Sequence, residues 1–139
     1  LRAYPKGIGL ADLCHEMHRF LADRDIITVL ESVYTSLPET AIRPADAYRC
    51  VVNGKTEDVP ILELVGRVAA VMVLPYPPGI PIWMPGERLS EGNRSVIDCL
   101  LLYQEFDNRF PGFETGFHGV VIQERDGRRE YTVSCVRED

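Results

Sequence analysis

Residues 75–87 contain five of the chain's ten prolines and end in a Pro-Gly-Glu triplet. Proline fixes the backbone angle φ, removes a hydrogen-bond donor and disfavours a helical conformation in the residue before it. We therefore predict that the apolar run 68–74 is a buried strand that ends at Leu74 and leads into a stiff, extended segment. Such a segment loses little entropy when it is held in one shape, which suits a loop that places groups against a ligand or partner. A rigid connector between two elements is the alternative interpretation.

The length and composition of the chain fit a single folded domain covering residues 1–139. Hydrophobic residues make up 45% of the chain and charged residues 26%, which is typical of a globular protein. The net charge of −6 argues against a nucleic-acid partner, since such partners need basic patches. Prolines interrupt the longest apolar stretch, so we expect no membrane span. Because the chain begins with Leu rather than Met, we interpret it as a fragment of a longer polypeptide.

The sulfur and imidazole side chains predict no metal site. The cysteines form no Cys-x-x-Cys pair and each lies in an apolar pattern, so we predict buried thiols in a reducing, cytoplasmic setting. His15 and His18 lie three residues apart, beside Cys14 and Glu16, but no third ligand is placed to complete a site with them. A solvated helix face is the preferred interpretation. The four cysteines are Cys14, Cys50, Cys99 and Cys135.

The order of elements predicts an α+β fold. Helical periodicity of apolar residues indicates helices over about residues 10–22, 26–37, 44–52 and 95–108. Proline favours the first position of a helix, so the third helix should begin at Arg43-Pro44. Two apolar runs, 120–123 and 131–136, flank Asp126-Gly127, a strong hairpin signal. We therefore expect a helical N-terminal half, a small mixed or antiparallel sheet, a proline-rich loop and a C-terminal β-hairpin, with a short strand or connector over residues 57–64.

The proline segment resembles the hallmark of one enzyme family. Pro75–Pro81 and the triplet Pro85-Gly86-Glu87 are similar to the C-terminal domain of bacterial ornithine/lysine/arginine decarboxylases, which are pyridoxal-phosphate enzymes. The likeness covers nearly the whole chain and is weakest over residues 1–40. It continues in Gly66–Ala70, Phe110–Thr115, His118-Gly119 and Tyr131–Val133.

The resemblance implies a function for a parent chain rather than for this fragment alone. Members of the family release the α-carboxylate of a basic amino acid as carbon dioxide, consume a proton and typically serve acid resistance. The chain's two lysines, Lys6 and Lys55, lack the Ser/His-Lys setting of a Schiff-base lysine, so we predict no catalytic or cofactor-binding residue here and place pyridoxal 5'-phosphate in an upstream domain. This domain would pack on that cofactor domain, contribute to a homodimer and larger oligomers, and complete the substrate entrance. The sequence Phe110–Glu114 leans towards the arginine branch of the family, whereas Glu114-Thr115 before His118-Gly119 is equally at home in the lysine branch. We favour arginine over lysine or ornithine as the substrate.

The candidate entrance residues all lie in the proline segment. Glu87 would pair with the cationic end of a basic substrate, and Gly86 lets the backbone approach another surface closely. Tyr76 and Trp83 would wall the channel or stack on a guanidinium, and Gly79 would adopt positive φ in a turn after Pro78. The alternatives are a solvated acid beside Arg88 and aromatic rings that anchor the core or an interface.

Two other functions stay open from the sequence. The first is a stand-alone binding module for a basic ligand or a partner, and the second is an inactive regulatory homologue. The family pattern usually has an acid and an aliphatic residue where this chain has Gly116 and Phe117, which weakens any side-chain role at that corner. His118-Gly119 beside it is expected to form a turn or an interface contact.

Overall fold

A computed structural model describes residue 4 and residues 7–138, and it confirms the α+β fold. All strand pairings in the described residues are antiparallel, and they form three small sheets rather than the single one expected. Single 3₁₀ turns lie at Ile61–Glu63 and Glu91–Asn93. In chain order the elements are α1 (Leu10–Asp23), α2 (Ile26–Thr35), β1 (Glu39–Thr40), α3 (Pro44–Val52), β2 (Thr56–Pro60), β3 (Leu74–Tyr76), β4 (Glu87–Arg88), α4 (Arg94–Arg109), β5 (Gly116–His118), β6 (Val120–Arg125) and β7 (Arg128–Val136).

The four predicted helices are confirmed, and local sequence features account for the starts of two of them. Pro44 occupies the first position of α3, and the Asp25 side chain caps α2 by accepting a hydrogen bond from the Thr28 amide. The second helix ends two residues before the predicted Leu37. None of the helices in the described residues is long and apolar enough to cross a membrane.

A three-stranded sheet in the order β2-β7-β6 supports the core. The predicted hairpin is confirmed: Asp126 and Gly127 both have positive φ, as a tight two-residue turn requires. Tyr131, Val133 and Cys135 are buried on one face of β7, against which α4 packs. Helix α4 is thus the central helix of the domain.

The prediction of a regular buried strand over residues 68–74 is wrong. Regular pairing begins only at Leu74, and β3 itself contains Pro75, so proline does not end this strand. The preceding residues divide their hydrogen bonds among several neighbours: the Ala69 amide donates to Glu87, the Ala70 amide to Ser134 and the Val73 amide to Trp83. A regular strand needs successive residues bonded to one neighbour, and these long-range partners are invisible in the apolar pattern.

Gly119 marks the point where the chain changes partner between β5 and β6. Strand β5 pairs with β3, whereas β6 pairs with β7. Gly119 has φ +81°, and a Cβ at this position would lie 2.1 Å from the Met72 carbonyl oxygen. Only glycine fits so close a crossing of two backbones, so the His118-Gly119 pair forms a turn in this structure.

A buried carboxylate fixes the corner after α4 to the sheet. Asp107 is 1% exposed and accepts hydrogen bonds from the Tyr131 hydroxyl and from the Thr115 amide and hydroxyl, the latter two at 2.9 and 3.0 Å. A buried polar group is tolerated when its hydrogen bonds are made, so this network determines how the corner packs.

Glu114 provides a second attachment at the same corner. It accepts a hydrogen bond from the Gly112 amide at 2.9 Å, and its Oε1 lies 2.5 Å from Arg129 Nη1. The Gly112 hydrogen bond and the Arg129 guanidinium lower the pKa of the Glu114 carboxyl from 4.5 to about 2. The folded corner therefore favours the ionised form of Glu114.

Tyr131→Phe should lower the free energy of unfolding by about 1–3 kcal/mol, because it leaves the buried Asp107 carboxylate short of one donor. Urea unfolding of the 139-residue chain measures this. Tyr48→Phe, on the exposed face of α3, is the matched control and should change little. Equal stability of the Tyr131 variant and the unsubstituted chain would contradict the role of the network.

Glu114→Gln should cost about 1 kcal/mol at pH 7, a value kept small because 34% of the Glu114 side chain is exposed. The folded pKa is depressed, so the stabilisation is complete above pH 4.5 and is lost as the pH falls towards 2. Unfolding midpoints of both chains between pH 7 and pH 2 test this, with the exposed Glu31→Gln as control. A difference that persists unchanged at pH 2 would rule out this explanation.

Candidate functional site

The proline loop, residues 75–87, runs from β3, which pairs with β5, to β4, which pairs with β1 in a separate sheet. Its base is closed by two hydrogen bonds of 2.9 Å, from the Val73 amide to the Trp83 carbonyl and from the Ile82 amide to the Val73 carbonyl. At the tip, the Gly79 amide donates to the Pro75 carbonyl at 2.7 Å. These bonds and the fixed φ of the prolines hold the loop in one shape.

Gly79 has the positive φ that the sequence predicts, at +76°. It closes the turn through its own amide, rather than lying at the centre of a turn with Pro78. A Cβ on Gly79 would lie 3.0 Å from Cε1 of Tyr76, so the tyrosine ring covers this glycine. Both the positive φ and the nearby Tyr76 ring therefore disfavour a side chain at position 79.

The two aromatic candidates lie on opposite sides of the loop. Tyr76 is 58% exposed on the outer side, whereas Trp83 is 1% exposed and belongs to the main core. The indole Nε1–H of Trp83 donates to the Glu87 carbonyl at 3.0 Å. Trp83 is thus a core anchor that supports the loop, and it presents no surface to a channel.

Glu87 is half-buried and bonded to the loop itself. Its Oε2 accepts from the Met84 amide at 2.8 Å, and its own amide donates to the Met84 carbonyl at 3.1 Å. It does not pair with the adjacent Arg88, whose guanidinium binds Glu138 and the Gly66 carbonyl. Among the described residues the carboxylate is hydrogen-bonded only through Oε2, so Oε1 can accept from another donor.

Gly86 makes the close approach that the sequence predicts. Its φ is +86°, and a Cβ would lie only 2.3 Å from the Ile42 carbonyl oxygen. The Gly86 carbonyl accepts from the amides of Ala41 and Ile42 at 2.9 and 3.0 Å. The end of the loop is therefore tied to the segment that enters α3.

The outer surface of the loop is apolar. Ile80 is 51% exposed and Met84 39%, in addition to Tyr76, and the Tyr34 hydroxyl of α2 donates to the Ile80 carbonyl at 3.3 Å. The exposed Met84 lies in the same turn as the Glu87 carboxylate, and an apolar group beside a fixed acid can contact a ligand that has an aliphatic stem and a cationic end.

The described residues do not fit pyridoxal phosphate. Lys55 is exposed in the turn after α3, where its carbonyl accepts from the Arg137 amide, and it lies in no enclosed site. Lys6 lies outside the described residues. No group of three potential metal ligands occurs in the part of the chain that the structure describes.

A cleft of about 450 Å³ between α1 and the end of α4 was not foreseen from the sequence. Arg24 pairs there with Glu105, and Arg109 pairs with Glu16 at 3.3 Å. These partners lie 81 and 93 residues apart, so no local pattern could indicate them. The positive and negative groups balance, and the cleft has no net attraction for a charged ligand.

Comparison with known proteins identifies the family. The model of the family "Orn/Lys/Arg decarboxylase, C-terminal domain" matches residues 27–137. The chain is 47% identical over 132 residues to lysine decarboxylase LdcA of Pseudomonas aeruginosa, covering 95% of this chain and 18% of that protein. It is 37% identical over 131 residues to the biodegradative arginine decarboxylase of Escherichia coli, covering 94% and 17%.

Solved structures of lysine decarboxylases contain a domain with the same fold as this chain. The structure of lysine decarboxylase A from Pseudomonas aeruginosa superposes with a TM-score of 0.86 at 46% identity, covering 95% of this chain and 18% of that one. The Escherichia coli constitutive lysine decarboxylase gives 0.80 at 37% identity, covering 91% and 17%. The chain thus spans about one sixth of the length of these proteins, and it belongs to the family of C-terminal domains of ornithine/lysine/arginine decarboxylases.

Proposed function

We propose that this domain belongs to a longer subunit that decarboxylates a basic amino acid, and that its proline loop forms the outer part of the substrate entrance. The observation that carries the proposal is Glu87: a half-buried carboxylate with one oxygen bound to Met84 and the other free to accept. A carboxylate fixed in this way attracts a substrate cation without having to be ordered first.

We favour lysine as the substrate. The comparisons do not support the arginine preference expected from residues 110–114, because lysine decarboxylase LdcA is 47% identical to this chain and the biodegradative arginine decarboxylase of Escherichia coli is 37% identical. The geometry of Glu87 agrees with lysine. A guanidinium is bound best by both oxygens of a carboxylate, whereas an ammonium is a compact charge that one oxygen can accept.

In the same proposal, the exposed side chains of the loop contact the substrate. Tyr76 and Ile80 would contact the aliphatic stem of the substrate while Glu87 Oε1 accepts a hydrogen bond from its ammonium. Gly79 and Gly86 would contribute by allowing the tight backbone that holds these groups, and Trp83 by supporting it from the core. The remainder of the subunit would bind pyridoxal phosphate and supply every catalytic residue.

We also propose the setting of the parent enzyme. It would be a cytoplasmic homodimer that assembles into larger oligomers and serves acid resistance, since decarboxylation consumes a proton. Cys99 and Cys135 are buried, whereas Cys14 is exposed and Cys50 is half-buried, so the prediction of four buried thiols is wrong at Cys14. The free thiols are compatible with a reducing compartment, and burial raises the pKa of Cys99 and of Cys135 to about 12. The net charge of −6 would oppose close assembly at neutral pH and oppose it less in acid.

Glu87→Gln in the full-length subunit should lower kcat/KM for lysine about tenfold to a hundredfold, because one charge-assisted hydrogen bond is worth about 1.5–3 kcal/mol. Binding of the cofactor should not change. Steady-state kinetics with cofactor titration measure both quantities. Glu63→Gln, which removes an exposed acid from the 3₁₀ turn after β2, is the control. An unchanged kcat/KM in the Glu87 variant would refute an entrance role for this acid.

Gly79→Ala should lower the free energy of unfolding by about 1–2 kcal/mol, because alanine resists positive φ and its Cβ would press on Tyr76. Gly92→Ala is the matched control, since Gly92 has no positive φ and its Cβ would meet only Ser90 Oγ, at 3.4 Å. Chemical unfolding of the 139-residue chain measures the difference. Equal effects of the two substitutions would mean that the loop tip is not held as described.

A further inference from the structure

We infer that Trp83 is a positioning residue, whose indole N–H fixes the main chain of Glu87 and thereby directs its carboxylate. The inference rests on the proposed role of Glu87 and goes beyond it, because it assigns the orientation of the acid to a residue that no substrate can reach. Trp83 is 1% exposed.

The Glu87 carbonyl oxygen is held from two sides. It accepts from the Trp83 indole and from the Ala69 amide, both at 3.0 Å. A buried N–H that loses its acceptor is costly, so the indole ring and this carbonyl stay together as long as the core is packed. The position of the Glu87 backbone is therefore tied to the core.

The remaining bonds transmit this position to the carboxylate. The Glu87 amide donates to the Met84 carbonyl, and Glu87 Oε2 accepts from the Met84 amide. Residues 83–87 thus form a closed unit in which the carbonyl, amide and carboxylate of Glu87 are all bonded to Trp83 or Met84. With Oε2 held, Oε1 points in one direction.

Burial alone does not require tryptophan at this position. Phenylalanine would also supply an apolar ring, but it has no donor for the Glu87 carbonyl. Without the indole bond, the Glu87 carbonyl would keep the Ala69 amide as its one donor among the described residues. Glu87 would then sample more orientations, and capture of the substrate would weaken while the chemical step stays the same.

A double-mutant cycle in the full-length holoenzyme tests the inference. Trp83→Phe, Glu87→Gln and the double variant are compared with the unsubstituted enzyme for lysine KM, kcat and thermal midpoint. We expect Trp83→Phe to raise KM about threefold to tenfold, the effect of one lost hydrogen bond, with kcat unchanged. In the Glu87→Gln background the same substitution should leave KM unchanged, because the group on which it acts is already lost.

Two further variants test the loss of the N–H donor alone and the loss of a different hydrogen bond in the loop. Replacement of Trp83 by benzothienylalanine keeps the ring shape and removes only the N–H donor, so it should reproduce the KM effect even if the phenylalanine variant folds poorly. Tyr34→Phe removes a hydrogen bond from the loop at Ile80 and not at Glu87, and its effect should add to that of Glu87→Gln.

The outcomes distinguish the positioning role of Trp83 from the entrance role of Glu87. If Trp83 variants raise KM by the same factor in both backgrounds, or leave KM unchanged, the positioning role is wrong while the proposed role of Glu87 stands. If Glu87→Gln itself has no effect on KM or kcat/KM, the entrance role of Glu87 fails and the positioning role fails with it.

Discussion

The arrangement of the whole domain depends on one irregular segment, residues 66–73, whose backbone is shared between two neighbours. On one side it bonds the returning arm of the proline loop, through the Gly86 amide and the Ala69 carbonyl at 2.8 Å. On the other side it bonds β7, through the Val136 amide and the Val68 carbonyl at 2.8 Å. Backbone groups buried in this way need partners, so the segment joins the loop to the sheet.

The proline loop is rigid because it is bonded to the irregular segment 66–73. Prolines limit the conformations of the loop itself, but its position relative to the core is set by Trp83, by Gly86 against Ile42, and by the bonds to Val73. These contacts hold the exposed apolar surface and the half-buried Glu87 of the loop in fixed positions. A loop that must present one carboxylate to passing cations benefits from being ordered before the ligand arrives.

Local features could be predicted from the sequence, and long-range features could not. The helices, the Asp126-Gly127 hairpin and the positive φ of Gly79 follow from periodicity and turn chemistry within a few residues. The partners of Ala69 and Ala70 lie far along the chain, so the apolar run around them was wrongly predicted to be a regular strand. Only the burial of Trp83 could decide whether it walls a channel or anchors the core. The Asp107–Tyr131 hydrogen bond joins residues 24 apart, and no sequence pattern predicts it.

The structure of the full-length subunit with a bound lysine analogue would show whether Glu87 faces the substrate. We expect the distal ammonium of the ligand to lie about 3 Å from Glu87 Oε1, or one water away from it, with Oε2 still bound to the Met84 amide. A structure in which Glu87 is covered by another domain, or in which the proline loop faces away from the ligand, would contradict it.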